Sequence, residues 1–257
     1  MFAVAFLYAN LGLGGGLLFV PILLGTGISD HTIAVPISLT LTAMTATSSV
    51  LNHRRAGFVD FGLGRKLVVG TLVGTAVGTT VSIYLLNAVA FEIFFIGVIL
   101  AFGLVMARDW ALNTRSTDAN DETKMSRDRI VTTTVLVSAS GFVSGALGVG
   151  GGLLNVPLLV YLLGRKTRAA IGTSSLLIIP TAAFGFLLYV IEFASRSGSF
   201  VVPSEFVLIP ILMPVVFVGA YLGSRWGLAS LKTRSVTFLF ILVLFAAAIK
   251  LVYDLVA

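Results

Sequence analysis

The sequence predicts an all-α integral membrane protein built from two homologous halves in inverted orientation. Each half carries a glycine-broken, re-entrant segment and about three spanning helices. Three observations lead there. Of the 257 residues, 57% are hydrophobic and only 11% are charged, with a mean hydropathy of +1.05, whereas soluble domains carry roughly 25% charged residues. Apolar runs of membrane-spanning length recur along the chain. One glycine–proline pattern occurs twice at a fixed offset.

The elements follow in chain order. Residues 1–24 are apolar and hold no Lys or Arg. They lack the charged start and small-residue cleavage site of a signal peptide, so they read as part of the mature fold. This stretch is interrupted at Gly12, Gly14, Gly15 and Gly16. Runs 33–51, 67–86 and 91–107 follow, each close to the ~20 apolar residues that span a bilayer. Residues 108–129 form the one plainly aqueous linker, with a solvated tract at 117–122. The stretch 130–164 is interrupted at Gly148, Gly150, Gly151 and Gly152, and runs 169–191, 206–228 and 236–256 complete the chain. The expected organisation is a first membrane repeat at 1–107, a cytoplasmic linker at 108–129 and a second membrane repeat at 130–257.

The duplication rests on spacing. Gly12, Gly14, Gly15, Gly16 and Pro21 recur 136 residues later as Gly148, Gly150, Gly151, Gly152 and Pro157. The same offset pairs Val20 with Val156, Ala34 with Ala170 and Ser38 with Ser174. An offset of 145 then pairs Gly74 with Gly219 and Gly78 with Gly223, which places a nine-residue insertion around 194–204. Two Gly-rich breaks at corresponding places signal an internal repeat.

Charge sets the orientation. If each broken stretch dips into the membrane and returns to its own side, every Lys and Arg except Arg196 and Lys250 falls on the cytoplasmic side, as the positive-inside rule requires. The halves are then oppositely oriented, and Trp110 and Trp226 sit at the cytoplasmic interface. Eight plain spans would scatter these charges over both sides. The net charge of +6 is explained by the same rule, and no nucleic-acid partner is expected. The chain has no Cys, which excludes disulfides and thiolate metal sites.

The glycine breaks free backbone amides that lipid cannot satisfy. Each precedes a short apolar helical run, so the glycines stand at a helix N-terminus, where partial positive charge and free donors suit an anion. Gly14, Gly15, Gly16, Gly150, Gly151 and Gly152 are therefore candidate substrate-binding residues, with Asn155 as an added donor from the first turn of the second run. The plain alternative is that these glycines only permit close helix crossing. Ser38, Thr42, Thr45 and Ser49 are spaced four, three and four apart and share one helix face. Ser38 and Thr42, with Thr173, Ser174 and Ser175 opposite, are candidate hydroxyl donors, unless they only back-bond to helix carbonyls. Pro21 and Pro157 read as shaping residues. The ladders Gly70, Gly74, Gly78 and Gly219, Gly223, Gly227 read as close-packing seams. Glu92, Glu192, Lys250 and Asp254 lie near segment ends, and His53, beside Arg54 and Arg55, reads as an interfacial loop residue.

Enzyme readings fail on spacing. His31 and His53 are the only histidines, so no paired zinc ligands exist. Gly141, Ser144 and Gly145 miss the spacing of a nucleophile elbow. The first glycine cluster has Leu17 where a dinucleotide fingerprint needs Gly. No catalytic residue, metal or cofactor is expected.

The doubled glycine–proline motif, with Arg55, Gly57, Phe58, Val59 and Asp60 after the second segment, resembles the TauE/SafE family of sulfite-exporter-like permeases over nearly the whole chain. The resemblance implies a multi-pass protein of a prokaryotic cytoplasmic membrane that moves sulfite, a sulfonate or a related small oxyanion. With no Walker motif, that would make it a secondary carrier or channel-like permease. The expected partners are a small anionic substrate and the lipid bilayer, and a homo-oligomer is compatible with this class. The alternative from another class is a non-transporting membrane scaffold or sensor subunit. The chain departs from the family pattern in having only 11 residues before Gly12, against 18 in 130–147.

Overall fold

A computed structural model describes residues 1–28, 30–111, 127–197, 203–229 and 233–256. Ten α-helices and one 3-10 turn are present among them, and no strand. In order they are α1 (Phe2–Leu11), α2 (Gly16–Leu24), α3 (His31–Arg55), α4 (Phe61–Tyr84), α5 (Ala88–Ala111), α6 (Arg127–Leu147), α7 (Gly152–Tyr161), α8 (Thr167–Ser197), the turn Ser204–Val207, α9 (Leu208–Ala229) and α10 (Thr233–Val256). Among the described residues, six segments are long and apolar enough to cross a membrane: α3, α4, Ala88–Arg108, Asp128–Leu147, Thr167–Arg196 and Ser204–Leu228. The chain is an integral membrane protein. Of the sequence-stretch expectations, the tract 117–122, Lys124, Gly198, Lys232 and the centre of the expected insertion lie outside the described residues, as does the side chain of Trp110.

α3 and α4 start earlier than the apolar runs suggest, because a polar cap begins each of the two. Asp30 caps α3, its carboxylate accepting from the Thr32 amide at 2.8 Å. Asp60 caps α4 by accepting from the Leu63 amide at 2.9 Å. Each cap satisfies an amide the first helical turn would leave open, which extends α4 back through Arg65 and Lys66. α6, the part of the second broken stretch before its glycines, is itself of spanning length.

Glycine ladders set which helices touch. A Cβ at Gly78 would stand 2.8 Å from the Phe142 carbonyl carbon, and one at Gly74 would stand 2.7 Å from that of Ser138. α4 and α6 thus lie backbone to backbone, with Gly141 of α6 meeting Thr71 in return. In the corresponding pair, Gly219 meets Phe2 and Gly223 meets Phe6, which binds α9 to α1. The ladder in one half therefore packs on a helix of the other, at the distances small residues allow. The halves are intertwined rather than set side by side.

The repeat-related helices α3 and α8 run antiparallel. The Ser175 hydroxyl lies 3.2 Å from that of Ser49; a Cβ at Gly172 would meet His53 at 3.1 Å, and one at Gly185 would meet Leu39 at 3.0 Å. The α6–α7 hairpin returns to the end of the bundle from which it started. α6 enters beside the first half of α4, where Gly70 faces Thr134, and Arg165, just past α7, pairs with the α4 cap Asp60 at 2.6 Å.

Candidate functional site

The two glycine loops cross each other between α3 and α8. Gly12, Gly14 and Gly15 take φ of 69°, 81° and 104°, and their counterparts Gly148, Gly150 and Gly151 take 72°, 86° and 74°. This left-handed backbone strains any residue with a Cβ. It turns each chain sharply from α1 into α2 and from α6 into α7. A Cβ at Gly152 would stand 2.5 Å from the Gly12 carbonyl oxygen and 2.7 Å from the Leu13 Cα. A Cβ at Gly16 would stand 2.6 Å from the Val149 Cα, the equivalent contact with the halves exchanged. Gly14 and Gly150 both abut Thr42 and Ile178, which are themselves counterparts at the same offset of 136. Thr42 is the twelfth residue of the 25-residue α3, so the crossing lies at about mid-depth of the bundle.

Reciprocal hydrogen bonds hold the crossing. The Ser38 hydroxyl donates to the Gly148 carbonyl at 2.9 Å, and the Ser174 hydroxyl donates to the Gly12 carbonyl at 3.0 Å. Each serine thus fixes the loop of the opposite half. Replacing either by alanine is expected to lower stability by about 1 kcal/mol, the usual net worth of one buried hydrogen bond, which thermal unfolding in detergent measures.

The other expected hydroxyls divide by partner. Thr45 donates to Leu41 O at 2.9 Å and Thr181 to Leu177 O at 2.7 Å, the back-bonding alternative. Ser175 donates to Ile171 O at 3.0 Å. Thr173 accepts from the Asp60 amide at 3.1 Å and so serves the α3–α4 connection rather than the crossing. Thr42 Oγ1 and Asn155 Oδ1 are buried without a partner among the described residues. Asn155 stands in the first turn of α7, whose first amides to find an acceptor are those of Leu154 and Asn155, both on Gly151 O at 3.3 Å. For the amides of Gly150, Gly151, Gly152 and Leu153 no acceptor is present among the described residues. Both loops are buried throughout, and no Asp, Glu, Lys or Arg is buried among the described residues. The crossing is thus a buried set of open amides, with the Thr42 hydroxyl and the Asn155 carbonyl oxygen also open and no cation beside them.

Three features escaped the sequence reading. Ser140 donates to Gly151 O at 2.6 Å, and Ser144, one turn on, has a buried, unpartnered Oγ. The spacing 140, 144, 148 was the available signal, since it aims one face of α6 at the second loop. His53 is not in a loop: it is buried in the last turn of α3, its Nδ1 2.9 Å from Ser49 O and 3.3 Å from Ser49 Oγ. A cavity of about 30 Å³ lies beside the first loop, lined by Leu11, Leu13, Phe102, Met106, Val156 and Ile171 among others. It has room for about one water, and its lining offers few of the donors an anion needs.

The TauE/SafE sulfite exporter family model matches residues 1–251. The chain belongs to that family. It is 31% identical to a probable membrane transporter protein of Xylella fastidiosa over 72% of this chain and 68% of that protein. It is 27% identical to the probable membrane transporter protein YdhB of Bacillus subtilis, over 88% of this chain and 87% of YdhB. A second B. subtilis relative, the probable membrane transporter protein YunE, is 25% identical over 95% of this chain and 92% of its own length. No solved structure matches. As a TauE/SafE member with six apolar spans among its described residues, the chain is a multi-pass membrane transporter for a small molecule, not an enzyme.

Proposed function

We propose that the protein carries a small oxyanion, such as sulfite or an organosulfonate, across the prokaryotic cytoplasmic membrane, and that the anion binds at the glycine crossing. The observation that carries this reading is the run of buried amides from Gly150 to Leu153 at the start of α7, with no acceptor among the described residues. Unpaired amides at that depth are costly in lipid, and an oxyanion satisfies several at once. The helix N-terminus adds about half a positive charge. A buried Lys or Arg, costing several kcal/mol to insert, is then unnecessary. Ser38 and Ser174 position the loops in this reading, while Thr42 and Asn155 face the ligand with open polar atoms. Radiolabelled sulfite and a panel of sulfonates, offered to proteoliposomes, test it. Flux of at least one above protein-free liposomes is expected, and no flux of any anion from folded protein overturns it.

The inverted orientation belongs to the same reading. It is supported by the antiparallel course of α3 and α8 and by the return of α7 to the Asp60 end. Because the chain has no Cys, single cysteines report sidedness cleanly. Cysteines at Arg54 and Arg168 are expected to label from the cytoplasm, and one at Leu85 from outside. Labelling of positions 54 and 168 from opposite faces overturns the arrangement.

A further inference from the structure

The two crossing loops share a backbone but not their side chains. At the offset of 136, Asn155 replaces Phe19, Ser140 replaces Val4 and Ser144 replaces Tyr8. At these three positions the second loop carries small polar groups where the first carries larger side chains, while Thr42 against Ile178 and Asn10 against Ala146 run the other way. A side chain in a helix's first turn leans back toward the N-terminus, and Phe19 shows the result. It is fully buried, with ring carbons 2.6 and 2.8 Å from where a Cβ on Gly15 would lie. The ring therefore covers the N-terminus of α2. In the matching place on α7 stands a carboxamide that is 1% exposed and has an unpartnered oxygen. Ser140 grips Gly151 O from the α6 side, whereas Val4 has no hydroxyl to do so.

We propose that the crossing is functionally one-sided: one oxyanion binds per chain, at the N-terminus of α7, with Asn155 as the specificity-determining side chain, while Phe19 plugs the equivalent place on α2. This rests on the function proposed above. The charge follows from the same geometry. Two helix N-termini converge, each worth about half a positive charge, and no cation is buried with them among the described residues. Their sum balances a single negative charge. The ligand is thus a monovalent oxyanion rather than a dianion, and the carboxamide contributes through its N–H2 group, which donates to an anion oxygen.

The test is calorimetric titration of the purified, detergent-solubilised protein with methanesulfonate, a monoanion, and with sulfate, a dianion. Methanesulfonate is expected to bind with a stoichiometry of about one and more tightly than sulfate. Asn155→Ala is expected to weaken methanesulfonate binding by about tenfold, Asn155→Ser to recover part of the loss, and Phe19→Leu to leave affinity within about twofold. Melting curves of each variant separate a lost contact from a lost fold. A stoichiometry of two, equal losses in Asn155→Ala and Phe19→Leu, or tighter sulfate binding overturns the one-sided monoanion site while leaving a site at the crossing. Folded wild-type protein that binds neither anion overturns both this inference and the function on which it rests.

Discussion

Gly152→Ala is expected to abolish anion flux and to lower thermal stability by about 3 kcal/mol. The new methyl group would stand 2.5 Å from the Gly12 carbonyl oxygen and 2.7 Å from the Leu13 Cα. Both are backbone atoms of the opposite loop, so no side chain can swing aside. Relief requires the loops to separate, and overpacking of this kind costs about 1–3 kcal/mol, occasionally more. Separation also moves the Gly12 carbonyl from Ser174 and the α7 amides from their partner loop. The repeat makes the same prediction for Gly16→Ala, which meets Val149 from the other side. Gly97→Ala is the control, since a Cβ there meets nothing within 4 Å; it is expected to transport like the wild type. Proteoliposome flux with melting midpoints measures all three. Wild-type flux from Gly152→Ala shows that the loops do not cross at van der Waals distance.

Gly78→Leu is expected to prevent accumulation of folded protein, with a loss of 3 kcal/mol or about that size, because its Cβ alone falls 2.8 Å from the Phe142 carbonyl carbon and 2.9 Å from the Phe142 Cα. Gly78 sits where α4 of the first half lies on α6 of the second, so the damage reaches the interface between repeats. Its neighbour Val77 is 52% exposed on the outer face, and Val77→Leu is expected to change stability by no more than about 0.5 kcal/mol. The comparison reads the seam directly, by yield in membranes and monodispersity in detergent. Equal behaviour of the two variants removes α4–α6 contact as the role of the ladder.

Much of the fold was legible in one dimension. Hydropathy reveals spans because a helix in lipid must satisfy its backbone internally and present apolar side chains along about 20 residues. Glycines in a repeated pattern reveal loops because positive φ is a local property of the residue. The ladder at Gly70, Gly74 and Gly78 reveals a close seam because residues without a side chain let two helix backbones approach, although its partner cannot be read from it. Helix starts were placed late, since Asp30 and Asp60 act through capping geometry and not through hydropathy.

The sequence by itself determined a membrane protein with a repeated glycine-broken segment, for hydropathy, spacing and local conformation set these, and its doubled motif carried the resemblance to the TauE/SafE family that the family match then showed. The tertiary structure alone decided that Ser38 holds Gly148 and Ser174 holds Gly12, that Thr45 and Thr181 satisfy their own helices while Thr42 stays open, and that His53 is buried against Ser49. It also decided that Phe19 closes one loop where Asn155 leaves the other polar. A hydroxyl carries no mark of which carbonyl it will meet 110 or 162 residues away. That choice is made when two antiparallel helices bring the crossed loops together.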